Sequence, residues 1–213
     1  GLLEPDRLGD TYTVDEEVVT IYAKFDFETE INGFPVIGNF GAQYVDTTQS
    51  STGYLGIVGS NFAVCDDNDD GQVDADCILS EGDEYSHFLP SLNVSIEVDD
   101  NQFIRVAANK TISRARIDQM KASGFVKFDQ NVDLITIPNS QADVDEYGSP
   151  WSKFRGNPTL RPLEANNFDL SFEKYFDDEG YVALTFFYKD LVNWTDDARE
   201  IIDFTNDSTN NGA

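Results

Sequence analysis

The chain has 213 residues, with 40 acidic against 14 basic side chains and a formal net charge of −26. The length allows one domain or two small ones, and so negative a charge repels phosphate backbones and excludes nucleic acid as a partner. No run approaches the ~20 apolar residues of a membrane-spanning helix; that says nothing against strands, which cross with ~10 residues of alternating hydrophobicity each.

The opening stretch, GLLEPDRLGD, has neither a basic nor an apolar region of the kind a secretory signal carries, so any export signal is expected outside this segment. Val19, Ile21, Ala23, Phe25 and Phe27 then alternate with Thr20, Tyr22, Lys24, Asp26 and Glu28, the period-2 pattern of a strand with one apolar and one wet face. Asn32-Gly33 predicts a tight reversal into a second strand, where Val36, Phe40, Ala42 and Tyr44 oppose Asn39, Gly41 and Gln43. A long polar connection is expected over Ser50 to Glu84. In the third strand Leu92, Val94, Ile96 and Val98 face away from Ser91, Asn93, Ser95 and Glu97. A turn at Asp99-Asp100-Asn101 leads to a fourth, with Ile104, Val106 and Ala108 opposite Arg105 and Asn109.

A second long connection covers Ser113 to Leu163. Within it SRARIDQMKAS (Ser113 to Ser123) reads as a short helix and FVKFDQNVDLITIP as a small hairpin above a rim. Its basic residues Arg114, Arg116, Lys121 and Lys127 are expected to pair with neighbouring carboxylates. Phe168, Leu170 and Phe172 alternate with Asn167, Asp169, Ser171 and Glu173 in a fifth strand, and a turn over Asp177 to Gly180 returns a sixth through Val182, Leu184, Phe186 and Tyr188. Everything after Thr195 reads as loop. Short turns and long connections alternate strictly, as in an up-and-down barrel with tight turns on one side of a membrane and long loops on the other.

One loop motif carries metal chemistry. In CDDNDDGQVDADC, Asp66, Asn68 and Asp70 occupy positions 1, 3 and 5 of a calcium loop, with Gly71 at the bend, the Gln72 carbonyl next and Asp74 beyond. Position 12 is Cys77, where an EF-hand places a bidentate glutamate. The alternatives are therefore a weak extracellular calcium site and a solvated acidic loop. Cys65 and Cys77 flank this loop in the manner of a disulfide formed in an oxidising compartment, the other reading being two free thiols. No other cofactor is implied.

Catalysis finds little support. A nucleophilic triad would have to use the one histidine, His87, which sits at the mouth of the third strand and reads as a solvated rim residue. With 40 acids, some pairs reach glycosidase spacing by chance, so carboxylate pairs carry no signal. Tyr147, Trp151, Phe154, Tyr188 and Trp194 lie at strand ends or in loops, positions for an interfacial aromatic girdle. Tyr147 and Trp151 are also candidates for stacking on a ligand's sugar ring.

The C-terminal hairpin is worded GNPTLRPLEANNFDLSFEKYF (Gly156 to Phe176), a turn, then YVALTFFYKDLVNW (Tyr181 to Trp194). It resembles the late barrel strands of TonB-dependent receptors, outer-membrane transporters of Gram-negative bacteria. EEVVTIYAKFDFETEINGFPVIGNFGAQYVDTTQSSTGY (Glu16 to Tyr54) and FLPSLNVSIEVDDNQFIRVAANKTISRARIDQM (Phe88 to Met120) resemble earlier hairpins of the same family.

The resemblance implies an all-β, antiparallel up-and-down transmembrane β-barrel fragment: six strands in three hairpins, with residues 1–213 forming part of a barrel domain. The plug domain, the segment that contacts TonB and the terminal strand are not found, and are expected elsewhere in a longer protein of about 22 strands. Such a receptor catalyses nothing. It sits in outer-membrane lipid and imports a scarce ligand into the periplasm with energy delivered through the TonB complex. The hairpin wording is closest to the branch that takes up oligosaccharides; a siderophore receptor is the alternative. A rival from another class is a secreted soluble calcium-binding β-sandwich that binds carbohydrate. In the sandwich the faces bearing Val19, Phe25, Leu92, Ile96, Phe168 and Phe172 would be buried between two sheets; in the barrel they meet lipid.

Overall fold

The computed structural model describes residues 8–58, 78–131, 148, 150–176 and 180–198. Eight strands form one sheet: β1 (Tyr12–Ile31), β2 (Phe34–Val58), β3 (Ile78–Asp99), β4 (Gln102–Ser113), β5 (Gly124–Phe128), β6 (Trp151–Arg155), β7 (Leu163–Phe176) and β8 (Gly180–Leu191). The antiparallel ladder β1-β2-β3-β4-β7-β8 is the up-and-down series of three hairpins that the alternation predicts. Asn32 and Gly33 both adopt positive φ (53° and 88°), which a two-residue hairpin turn between Ile31 and Phe34 requires. At the second turn Asn101 takes φ 61°, and the β3–β4 register slips between Glu97 and Asp99.

Register places the apolar residues of all six strands on one face. One row runs Phe25, Phe40, Leu92, Ala108, Phe168, Tyr188; the next runs Phe27, Gly38, Val94, Val106, Leu170, Phe186. The sheet curls into a half-barrel with this face outward. Phe25, Phe40, Leu92, Phe168 and Phe186 are all exposed, and the Phe25 and Phe40 rings stack at 5.3 Å. No second sheet covers these residues among the described part of the chain, so the soluble sandwich is overturned.

On each strand the outward face turns polar at a definite rung: Glu17 below Val19, Asp46 after Tyr44, Ser86 before Phe88, Lys110 after Ala108, Asn166 before Phe168, Asp190 after Tyr188. On β2 the apolar band spans ten residue steps from Phe34 to Tyr44. At ~3.3 Å per residue and a tilt of ~40° this rises ~25 Å, the height of the lipid-facing band of a transmembrane barrel.

Three expectations need correction. First, the strands outrun the apolar pattern: β2 continues to Val58 and β3 begins at Ile78, inside the expected Ser50 to Glu84 loop. DTTQSSTGY is polar on both faces, so no hydrophobic period marks it, yet it pairs rung by rung with β1 and β3. Second, no helix forms between Ser113 and Gly124. That segment makes turns, with Gln119 N–H donating to the Arg116 carbonyl and Met120 N–H to that of Ile117 (3.0 and 3.1 Å). It then runs extended, because Ala122 N–H is captured by Ser51 Oγ at 2.8 Å and Met120, Ala122 and Ser123 are buried. Third, β5 does form, but its partner is β6, and the pair extends β2 in parallel where β1 stops: Tyr12 faces Gly53, and Gly124 faces Leu55.

Val36 and Gly38 apart, the buried residues cluster at the loop end of the sheet. Val45, Thr47, Gln49 and Ser51, on alternate positions of the concave face of β2, are covered by Met120, Ala122, Ser123, Pro158 and Pro162.

Candidate functional site: a polar wall and its mouth

The concave face is what remains when the apolar half of each strand is turned outward. Its rows read Lys24, Gly41, Ser91, Asn109, Asn167, Lys189, then Asp26, Asn39, Asn93, Ala107, Asp169, and then Glu28, Ile37, Ser95, Arg105, Ser171, Thr185. Amides meet across strands: Asn93 donates to Asn39 Oδ1 (3.0 Å), and Asn167 to Asn109 Oδ1 (2.9 Å) and Thr111 Oγ1 (3.0 Å). Lys24 pairs with Asp26 at 2.7 Å and Arg105 with Glu173 at 3.2 Å. Two broad depressions of about 710 and 690 Å³ lie along this wall, one around Asn39, Asn93, Arg105 and Asp169, the other around Tyr22, Gln43, Ser91 and Asn109.

The segment from Gly156 to Pro162 crosses the concave side of β2 and β3 as a strap. Gln49 Nε2 donates to the Pro158 and Leu160 carbonyls at 2.7 and 3.0 Å, while its Oε1 accepts from Tyr85 Oη at 2.9 Å. Burial pushes the Tyr85 phenol above its usual value. Arg161 donates to Asp83 at 2.8 Å, and this bond holds the Asp83 carboxyl below the ordinary carboxylate range. Arg155 reaches Glu81 at 2.8 Å.

Above the Ser91–Asn109 pair, β3 and β4 are no longer paired, and three side chains bridge the opening. Glu164 on β7 receives Lys110 Nζ from β4 and His87 Nε2 from β3, the latter at 3.2 Å. The Lys110 hydrogen bond, helped by His87, keeps Glu164 below the usual carboxylate value. His87 is 7 % exposed, packed edge-on against Tyr85, with no partner for Nδ1. It is not the solvated rim residue its position suggests, because the inward alternation of β3 turns it against Tyr85 and Glu164.

Three of the four residues of the basic cluster pair with carboxylates as expected, and Lys127 instead meets a ring. Arg114 pairs with Glu16, Arg116 with Asp118 and Lys121 with Asp10, while Lys127 lies over the Phe154 ring at 5.8 Å. Trp151 starts β6, beyond the apolar band, and is exposed; Phe154 shares that strand, so neither belongs to a girdle at the band edge. Tyr188 does close the band on β8, and Trp194 follows that strand fully open to solvent. Tyr147, the proposed ligand partner of Trp151, lies outside the described residues. So do Cys65, Cys77 and the calcium set Asp66, Asn68, Asp70, Gln72 and Asp74. Among the described residues no acidic or histidine cluster has the geometry to hold a metal.

Gln49, Tyr85 and Glu164 escaped the sequence reading. Their one signal is strand parity: each sits on a polar stretch where both faces look alike until the partner strands are known.

A curled antiparallel sheet with an apolar outer band, a hydrogen-bonding inner wall and an extended loop end defines the wall of a transmembrane β-barrel. The family model described as TonB dependent receptor-like, beta-barrel matches residues 4–213, and the chain belongs to that family, whose members are outer-membrane transporters of Gram-negative bacteria. Comparison with curated proteins and with solved structures gave no match.

Proposed function

We propose that this chain is barrel wall from a receptor that imports a neutral, hydroxyl-rich ligand, an oligosaccharide, across the outer membrane into the periplasm, powered through TonB. The observation that carries the reading is the chemistry of the concave face. Asn39, Asn93, Asn109, Asn167, Ser91, Ser95, Thr111 and Ser171 offer donors and acceptors in rows, which suits sugar hydroxyls. Of the wall cations among the described residues, Lys24 and Arg105 are already paired and Lys189 is left over, while Glu28, Glu97 and Asp169 add negative potential. Together with a net charge of −26, this opposes anionic ferric chelates.

The test is uptake by cells carrying the full-length receptor, with and without TonB. TonB-dependent accumulation of radiolabelled neutral oligosaccharides, weakened about two- to tenfold in affinity by Asn93→Ala as one hydrogen bond is lost, is the expected result. TonB-dependent uptake of ferric siderophores with no response to any oligosaccharide would replace this reading by the siderophore alternative.

A further inference from the structure

We propose that the strap from Gly156 to Pro162 is a fixed ledge that sets the bore of the receptor's mouth, and that Gln49 is the positioning residue that holds it. The inference rests on the family fold and not on the ligand class, so it stands or falls separately from the oligosaccharide reading.

The strap is built to stay. Pro158 and Pro162 are among the most deeply buried side chains of the described chain, and Gln49 beneath them is 2 % exposed. A glutamine amide has two N–H donors and one carbonyl oxygen. Here both kinds of group are used, the donors on Pro158 and Leu160 and the oxygen on Tyr85. Lifting the strap would strand these groups in a buried site, a costly state for polar atoms.

Further ties act along its length. Asn157 N–H donates to the Gln119 carbonyl at 2.7 Å, Arg161 grips Asp83, and Asn193 Nδ2 donates to the Pro162 carbonyl at 3.0 Å. The layering is close enough that only glycine fits at its start. A Cβ on Gly156 would lie 2.6 Å from the carbonyl oxygens of both Gln119 and Lys121.

The place of the ledge gives it a role. Gln49 lies on the concave face two inward rungs beyond Val45 and past the Tyr44 edge of the apolar band, on the side where the long connections emerge. A solute coming from that side passes the ledge before it meets Gln43, Ser91 or Asn109. The bore at this level is then set by the barrel wall itself, so ligands are selected there by cross-section.

The test uses the full-length receptor in the outer membrane of intact cells, with Cys65 and Cys77 replaced by serine. A Gln43→Cys thiol, exposed on the concave face just inside the ledge, reports access to maleimides bearing polyethylene glycol chains of increasing length. The parent should react with short reagents and exclude long ones. Gln49→Glu keeps size and shape but cannot donate to the two carbonyls and repels them; it should shift the cut-off to longer chains and speed the longest reagent by tenfold or more.

Tyr85→Phe removes the hydroxyl's bonds to Gln49 Oε1 and to Thr47, neither of which reaches the strap, and should leave the cut-off unchanged, which a general loss of packing would not. Should Gln49→Glu fail to assemble, Asn193→Ala strips a second anchor and should move the cut-off in the same direction. An unchanged cut-off in the variant that assembles, an equal shift from Tyr85→Phe, or a Gln43→Cys that no reagent reaches would overturn the proposal.

Discussion

Phe40→Arg tests the assignment of faces most directly. Phe40 lies four residue steps inside the Tyr44 boundary and six from Phe34. With the rise and tilt used above, that is ~10 Å below the band edge, close to the middle of the hydrocarbon. An arginine on the lipid face at that depth costs about 2–4 kcal/mol. The ring contacts with Phe25 (5.3 Å) and Phe27 (6.4 Å) are lost as well. Such pairs are worth about 0.5–1.5 kcal/mol each, giving a total of about 3–7 kcal/mol.

The adjacent residue gives the contrast. Asn39→Arg points into the wall and forfeits one hydrogen bond, from Asn93, worth about 1 kcal/mol. Tyr44→Arg, at the band edge, should cost about 0–1 kcal/mol. Urea unfolding of the full-length receptor reconstituted in lipid vesicles, followed by tryptophan fluorescence, measures all three. Equal losses for Phe40→Arg and Asn39→Arg would mean that the two faces meet the same medium, and the barrel reading would fail.

The remaining expectations concern the loop end. Glu164 has a depressed folded value, so its contribution is complete above the ordinary 4.5 and fades as pH falls through that lower value. Protection against hydrogen exchange at the start of β7, taken relative to the intrinsic rate at each pH, should therefore fall below about pH 4.5, and Glu164→Gln should remove that dependence by abolishing the charged contacts with Lys110 and His87. Cys65 and Cys77 are expected to be disulfide-bonded; alkylation and mass spectrometry of protein taken from the cell envelope should find neither thiol, and two labelled thiols would refute the pairing. If Asp66, Asn68, Asp70 and Asp74 hold calcium, titration of a disulfide-closed peptide spanning Cys65 to Cys77 should show heat with calcium at sub-millimolar to millimolar concentration and little with magnesium. The same heat from an Asp70→Ala peptide would reduce the motif to a solvated loop.

What the sequence disclosed follows from where one solvent differs from the other. Val19 to Phe27 or Leu92 to Val98 alternate because one side meets lipid and the other a wet wall, so their strands, faces and pairing order were legible. Beyond Tyr44 both sides meet water or polar neighbours, and Asp46 to Thr52 lost the period while keeping the strand. Phe186, Phe187 and Tyr188 blur the pattern differently: Phe187 turns inward at 74 % exposure, so three apolar residues run together on a half-wet strand. The helix expected over Ser113 to Ser123 failed because local propensity was outweighed by long-range capture: Ser51 takes the Ala122 amide and Ser123 packs beside Gly53, whose missing Cβ leaves the room. No local pattern encodes such a contact between residues 71 apart.

The two ends of the sheet thus depend on different surroundings. In the band most convex side chains are exposed or half-buried with no second layer over them, and the outer edges of β1 and β8 carry backbone groups without strand partners, among the described residues. In hydrocarbon each such group costs several kcal/mol, so the band is stable only when further strands close it and lipid surrounds it. At the mouth the case is reversed. Gln49, Thr47, Ser51, His87, Pro158 and Pro162 form a packed, largely polar core tied by hydrogen bonds inside the chain, His87 Nδ1 excepted. That core lies beyond the lipid band and needs no membrane to be satisfied. Removal of lipid should therefore loosen the band first and leave the ledge in place, the order expected if the mouth must hold its shape while the wall below it accommodates a passing ligand.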